Sequence, residues 1–454
     1  MLAMKKQLTY LFVFLTSTFM YSQTFFVKVL DIDTKQPIEK VHLKLGSKVY
    51  LTNKEGLAII TPINTTNLEI THIKYLTKVI KLKGKRRKEV FLSEKQSTLK
   101  EVVISSKRTL KKYVNYTELE ELPKPIHSFG SLLIKDKLYT FGGDGSVIEY
   151  SNKRGLSELL DSNENNILKF LTKAKIGNFY RYRGQSYVYD FTQKKWELYS
   201  KELIKRAYHK AVVHNDSIYI IGGKRLTLTK KKEMLVNQIE IVSNKDKSIS
   251  IDKMNPHQAV NFESVVFKNK LLLIGGSIKL KANGLKEYTD KIHMYNIKTG
   301  YWYELTSMSK GKETRGVIVN NKLYLFGGFK DKNLKEIESF DLVSGKWNLE
   351  GLLFSSMRNP AIAKNKNMIY LFENNNIISY NTVTKSLKSY QIKLPLFSSE
   401  MHYKDNKLFI LGGSEKGDFT STPQKHFIEI SIDEFDNTKI QKQKILKPTN
   451  AVKS

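Results

Sequence analysis

"KLYLFGG", residues 322–328, ends an apolar run on two adjacent glycines, Gly327 and Gly328, and a later Phe340 stands seven residues before Trp347. A phosphate-binding loop would need further glycines and a helix directly after the pair, and neither follows. The stretch recurs instead. "KLYTFGG" (137–143), "SIYIIGG" (217–223), "LLLIGG" (271–276) and "KLFILGG" (407–413) repeat it, placing Gly142 and Gly143, Gly222 and Gly223, Gly275 and Gly276, and Gly412 and Gly413 alike. A degenerate copy, "MIYLFEN" (368–374), lies between the last two; counting Glu373 as its first glycine, the spacings are 80, 53, 52, 46 and 39. The second half of the unit repeats too: Tyr189 and Trp196, Tyr295 and Trp302, Phe340 and Trp347, and Tyr380 and Leu387 stand seven residues apart across a turn. Each unit reads as four short antiparallel strands. One such sheet cannot bury both faces, but six arranged around an axis can.

The paired glycines and the aromatic-to-tryptophan spacing, repeated together over residues 126–437, resemble the kelch repeat and imply a six-bladed propeller like the galactose oxidase central domain. Blade 2 carries that family's Arg and His ahead of its first strand, as Arg206 and His209 in "RAYHKAVV"; the other blades depart there. Residues 106–125 read as a linker and closing segment, with Tyr113 to Leu119 expected as strand 4 of the last blade. The tail 438–454 is basic and expected to be mobile.

Ahead of the repeats, residues 23–105 hold short alternating strands: "VKVLDIDTKQPIEKVHLKL", "TNKEGLAII" with Gly56 in a tight turn, "LEITHIKYLTKVIKL" and "LKEVVISS". These predict a small antiparallel β-sandwich. Their order is similar to the carboxypeptidase regulatory-like, transthyretin-like domain, which implies an accessory module without chemistry of its own; Lys74 departs from the glycine usual before Tyr75. The fold class expected is therefore all-β, a transthyretin-like sandwich followed by the propeller. Residues 1–22, with Lys5, Lys6 and an apolar run to Met20, read as an export signal cleaved after Ser22. That run is shorter than the roughly 20 residues of a spanning helix, and no later run reaches that length. Export places the mature chain in the periplasm, outside the cell or at its surface.

The formal charge is +32, a field that attracts polyanions. Ten of the 76 basic residues are arginine, however, and the lysine excess travels with Asn and Ile, as a genome-wide bias does; no nucleic-acid partner is expected. The chain has no cysteine, which removes disulfides, thiolate chemistry and cysteine-held metals. The nine histidines are scattered without metal-ligand spacing, and no metal or cofactor is expected.

Parity sends loops 2–3 and 4–1 of every blade to one face, and the 2–3 connections are long and unlike one another, as binding loops are. In blade 1, "NENNILKFLTKAK" (163–175) predicts a short amphipathic helix. His127, Arg181, Arg183, Arg206, His209, Arg225, Glu263, Arg315 and Arg358 are the candidate ligand-binding residues on this face, since arginine forks suit carboxylates, phosphates and sulfates. The leading expectation is a non-catalytic binding protein presenting a basic loop face to a glycan or an envelope protein, anionic ligands included. Kelch propellers also include copper-radical oxidases, which need a cysteine–tyrosine cross-link that this chain cannot make. A sialic-acid mutarotase of the same fold needs arginines and a carboxylate, which Arg181, Arg206, Arg315, Arg358 and Glu263 would supply. A cytoplasmic adaptor of the ubiquitin-ligase type fits poorly with an export signal.

Overall fold

The computed structural model describes residues 24–61, 67–95, 109–149, 181–200, 203–229, 232–280 and 285–450. The expected export signal and the 163–175 helix lie outside the described residues. The chain divides into two compact units, 1–108 and 109–454.

In the first unit, a three-stranded sheet (Leu57–Ile60, Phe25–Asp31, Arg87–Leu92) and a four-stranded sheet (Lys48–Leu51, His42–Leu45, Asn67–His72, Tyr75–Lys81) share one core. Alternation decides which side chains enter it: Val27, Val29, Leu43, Ile60 and Ile70 are fully buried. One pairing departs from the expected antiparallel pattern, because Phe25–Asp31 runs parallel to Arg87–Leu92. Gly56 does sit in a tight turn, at φ 68°, where a Cβ would press on the Val29 carbonyl.

The described residues of the second unit form six antiparallel blades, four of four strands and two carrying a fifth. Strand 1 of each is Gly130–Ile134, Lys210–His214, Glu263–Phe267, Glu313–Val319, Ala361–Asn365 and Glu400–Lys404. In blades 1 to 5 the other three strands follow in sequence, so order along the chain equals order in the sheet. The seven-residue aromatic spacing is a register effect: Tyr189 pairs with Trp196, Tyr295 with Trp302, Phe340 with Trp347 and Tyr380 with Leu387 across equal 3–4 hairpins. The three aromatic pairs bring their rings to 5.3, 4.8 and 4.9 Å.

Both glycines of each pair have positive φ, and each has a different neighbour. A Cβ on the second glycine would strike the chain entering its own blade: Phe129 for Gly143, Ala207 for Gly223, Phe262 for Gly276, the Glu313 carbonyl for Gly328. A Cβ on the first would strike the next blade's entry: Arg206 for Gly142, Ala259 for Gly222, Lys312 for Gly275, Ile126 for Gly412. The second N–H then donates to the next blade, from Gly143 to Arg206 (2.9 Å), Gly223 to Ala259 (2.9 Å), Gly276 to Lys312 (2.8 Å) and Gly413 to Ile126 (2.9 Å). Blade 5 lacks the glycines but keeps the bond, from Asn374 to Leu396 (2.8 Å). Asparagine tolerates the left-handed region, and Asn374 and Asn375 (φ 45° and 62°) also close strands 2 and 3 in a two-residue turn.

The two ends of this unit wrap its rim. Thr117–Glu118 is strand 4 of blade 6, a shorter pairing than Tyr113 to Leu119, and Val114 bridges to Ile392 of blade 5. The tail differs from the mobile segment expected of it. Lys442–Ile445 adds a fifth strand to blade 5 and Thr449–Asn450 one to blade 4, while Leu446 is buried over Gly351. Open sheet edges at these two blades supply the hydrogen bonds that hold a lysine-rich segment in place.

This geometry sets the cost of three substitutions. Gly328→Ala should cost about 3 kcal/mol or more in denaturant unfolding, from left-handed strain and overlap with Glu313 together. Gly345→Ala has positive φ but nothing within 4 Å, and should cost only about 1 kcal/mol. Leu446→Ala should cost about 2–4 kcal/mol if the tail is part of the core, and close to nothing if it is not.

Candidate functional site

Twelve residues before each first glycine position, strand 1 places one residue at the same height on the propeller axis: Gly130, Lys210, Glu263, Arg315, Ala361 and Glu400. Four of the six are charged, and they pair across the axis. Arg315 donates both terminal nitrogens to Glu400 (2.9 and 2.8 Å), and its Nε lies 3.4 Å from Glu263. Lys210 lies 3.4 Å from Glu263 and 3.7 Å from Glu400. The backbone N–H groups of Ser264 and Gly316 complete Glu263 (2.9 and 3.0 Å). Burial works against charge on Arg315, but Glu400 and Glu263 outweigh it and hold the guanidinium protonated. Burial likewise opposes ionisation of Glu400, and Arg315 and Lys210 reverse this, bringing it to about 2.

Immediately above, a belt of backbone hydrogen bonds joins neighbouring blades: Ser128 N–H to Ser398 (3.2 Å), Tyr208 to Ser128 (2.7 Å), Asn261 to Tyr208 (3.3 Å) and Thr314 to Asn261 (3.2 Å). Ser398, Ser128, Tyr208 and Asn261 all have positive φ. This turn lifts the Tyr208 side chain toward the 2–3 face, where its hydroxyl donates to Asp144 (2.9 Å).

That face is built by hairpins. The 2–3 connections of blades 2, 3 and 6 continue as paired strands (Lys224–Leu226 with Glu233–Leu235, Ser277–Leu280 with Lys286–Tyr288, Ser414–Lys416 with Thr420–Pro423), and blade 4 extends its own strands to Lys330 and Lys332. Two groups of side chains stand at the mouth of the axis. On one side Lys224 pairs with Glu233 (2.8 Å) and lies over the Tyr208 ring (4.6 Å), while the Tyr182 hydroxyl donates to Glu233. On the other, buried Glu313 accepts from Ser277 (2.6 Å), Lys286 and Arg358 (3.4 Å). Arg358 there stacks on Phe329 at 4.1 Å, and Tyr288 approaches the same ring (6.3 Å). The two groups face each other closely enough that Arg358 acts electrostatically on the Tyr208 hydroxyl and Lys224 on the Lys286 ammonium.

The structure thus redistributes the candidate residues. Arg358 is half-exposed at the mouth, with Arg225 half-buried on the blade 2 hairpin; Arg181 is exposed, and Arg183 packs its guanidinium against Gly145. Glu263 and Arg315 do meet, but within the ionic ring. His127 is buried, its Nε2 3.8 Å from Asp144 and its Nδ1 3.0 Å from the Ser128 hydroxyl. Arg206 and His209 do not face a ligand. Arg206, 1% exposed, donates to Glu240 (2.8 Å) and to the carbonyls of Gly222 and Gln238 (both 3.1 Å). His209 accepts from the Gly130 N–H (3.1 Å).

Other blades fill the Arg206 role with other residue types: His257 meets the carbonyl of Gly275 (2.8 Å), Lys312 that of Gly327 (3.3 Å) and Ser399 that of Gly412 (3.2 Å). The expected basic face is neutralised in part, because Lys224, Lys286 and Arg358 each have a carboxylate partner, while Arg181 stays exposed. Lys210, Glu400, Lys224, Tyr208, Lys286, Glu313 and Phe329 are additions that sequence reading missed. The constant offset from the glycines would have found the first two.

Burial holds three histidines neutral, His209 at about 3 and His257 and His402 at about 4. Unfolded histidine titrates near 6.5, so below that pH the unfolded chain takes up protons that the fold refuses. The stability they contribute is complete above pH 6.5 and falls toward pH 4, by up to about 1.4 kcal/mol per pH unit for each. Melting temperatures recorded from pH 7.5 to 4 should show this decline, and a flat profile to pH 5 would contradict it.

The model of the KLHDC2/KLHL20/DRC7 Kelch-repeats domain matches residues 177–372. Kelch-like protein 23 of Homo sapiens is 28% identical over 174 residues, 37% of this chain and 29% of that protein. Kelch-like protein 15 of Homo sapiens is 26% identical over 175 residues, 35% and 28% of the two chains. The chain therefore spans less than a third of the length of these relatives. A solved structure, "Structure of YjhT", shares the fold with a TM-score of 0.52 at 12% identity, covering 71% of this chain and 99% of that one. Together with the six blades and their glycine clasps, these likenesses support a kelch-type β-propeller for residues 109–454.

Proposed function

We propose that the chain is an exported binding protein whose propeller takes a glycan in the mouth of its 2–3 face, with residues 23–105 as a transthyretin-like spacer. A kelch propeller suits a binding or protein-interaction role in general. The observation that carries the finer reading is the composition of the mouth, where Lys224, Lys286 and Arg358 alternate with Asp144, Glu233 and Glu313 around Tyr208, Tyr288 and Phe329. Sugar hydroxyls both donate and accept, so they bond to carboxylates and to cations without disturbing the charge balance. The apolar face of a sugar ring stacks on an exposed aromatic. Tyr288 and Phe329, both partly exposed and the latter with Arg358 across its ring, are the aromatics available there.

The sugar-acid mutarotase alternative draws no support from this arrangement. Of the five residues expected to serve it, Arg206, Arg315 and Glu263 are engaged by Glu240, by Glu400 and by the ring's cations, which leaves only Arg181 and Arg358 at the 2–3 face.

A glycan array with the purified full chain tests the reading. A defined subset should bind saturably and persist at about 0.5 M salt, where surface attraction is screened. Phe329→Ala and Arg358→Met should each weaken that binding about tenfold or more, equivalent to about 1.4 kcal/mol. No glycan binding, or binding lost in salt whatever the glycan, would reject the proposal; capture of a protein ligand at the same mouth would redirect it.

A further inference from the structure

Below the ionic ring, the axis opens into a cavity of about 320 Å³ that runs along strand 1 of the blades toward the opposite face. Away from the ring its walls are mostly apolar, formed by residues such as Val212, Val265, Val317, Ile362 and Met401, with Lys364 also among the lining residues. Polar atoms gather at its closed end. Ser264 Oγ and Arg315 Nε are buried there without a hydrogen-bond partner, in residues 6% and 5% exposed. The third group is His402, whose tautomer the neighbours fix. The Ser131 hydroxyl donates to the Tyr139 carbonyl (2.9 Å), so it accepts from His402 Nε2–H (2.8 Å), which leaves Nδ1 as a bare acceptor.

The geometry points to a second ligand site in this cavity, independent of the glycan reading, for a small uncharged molecule with a hydroxyl head and a compact apolar body. A hydroxyl can accept from Ser264 Oγ–H while donating to His402 Nδ1. A charged head has no such place. The ring carries two cations and two carboxylates, each already committed to its partners, so a charge added at this end of the cavity would be buried without a free counter-charge. Lys364, which also lines the cavity, donates to the Ile318 carbonyl. The volume lies at the small end of the range of ligand pockets, which suits a six- to eight-carbon alcohol.

Cyclohexanol, cyclohexanecarboxylate and cyclohexylamine, titrated separately into the full chain labelled with methyl-13C methionine, discriminate these possibilities. The Met401 methyl resonance, assigned by Met401→Leu, should shift saturably with the alcohol and not with the two charged congeners. Ser264→Val should weaken the alcohol about tenfold, the loss of one hydrogen bond. Ile362→Phe, which fills the cavity from the wall, should abolish binding while the far-UV spectrum stays that of the parent. A linear, non-saturating shift, equal responses to all three compounds, or undiminished binding in Ile362→Phe would overturn the site.

Discussion

The structure depends on one close approach: in five of the six blades the backbone at the end of strand 2 passes so near to its own blade's entry and to the next blade's entry that two successive residues have no room for an ordinary side chain. Glycine is required by sterics on both sides and by positive φ, and the return is an inter-blade hydrogen bond from the second N–H. The same bond closes the ring, from Gly413 of blade 6 to Ile126 at the start of blade 1. Six sheets that could each slide on their neighbours are therefore pinned at the same height, close to the axis. Blade 5 shows what is essential. Its Glu373 and Asn374 replace both glycines, yet the Asn374 N–H makes the equivalent bond and the Glu373 carboxylate accepts from the N–H groups of Arg358 and Asn359.

Pinning the blades at one height explains why charges on strand 1 meet as they do. Lys210, Glu263, Arg315 and Glu400 come from blades 2, 3, 4 and 6, and nothing local in the chain relates them. Equal height makes them neighbours, and alternation of sign lets all four be buried without a net charge. The same pinning carries the hairpins of the 2–3 face, so that the mouth groups of blades 1 and 2 and of blades 3, 4 and 5 are held opposite one another.

Much of this architecture was legible in the chain, because it is carried by local and repeated signals. The glycine pairs, the aromatic spacing and the closing role of the segment around Thr117 all repeat or mirror something nearby in sequence. The site was less legible, for two physical reasons. Burial is a property of the assembled blade, so Arg206 looks in sequence like any exposed arginine, although its guanidinium serves the carbonyl of Gly222. Equivalent jobs are also done by different chemistry in different blades, as with Arg206, His257, Lys312 and Ser399 on the glycine carbonyls, so the change of residue type between repeats conceals the shared role. The tail failed for a related reason: "KQKI" has little strand character, and the open edge of blade 5 makes it a strand.

Charge illustrates the distinction between composition and placement most clearly. A chain at +32 attracts polyanions through a diffuse field, with a reach limited to roughly 8–10 Å by physiological salt. At the axis, cations and carboxylates balance pair by pair, and at the mouth Lys224, Lys286 and Arg358 each meet a carboxylate, the last two sharing Glu313. Long-range attraction and specific recognition are thus separate in this molecule: salt weakens the first, whereas the second depends on hydrogen bonds and ring contacts whose geometry the glycine clasps maintain.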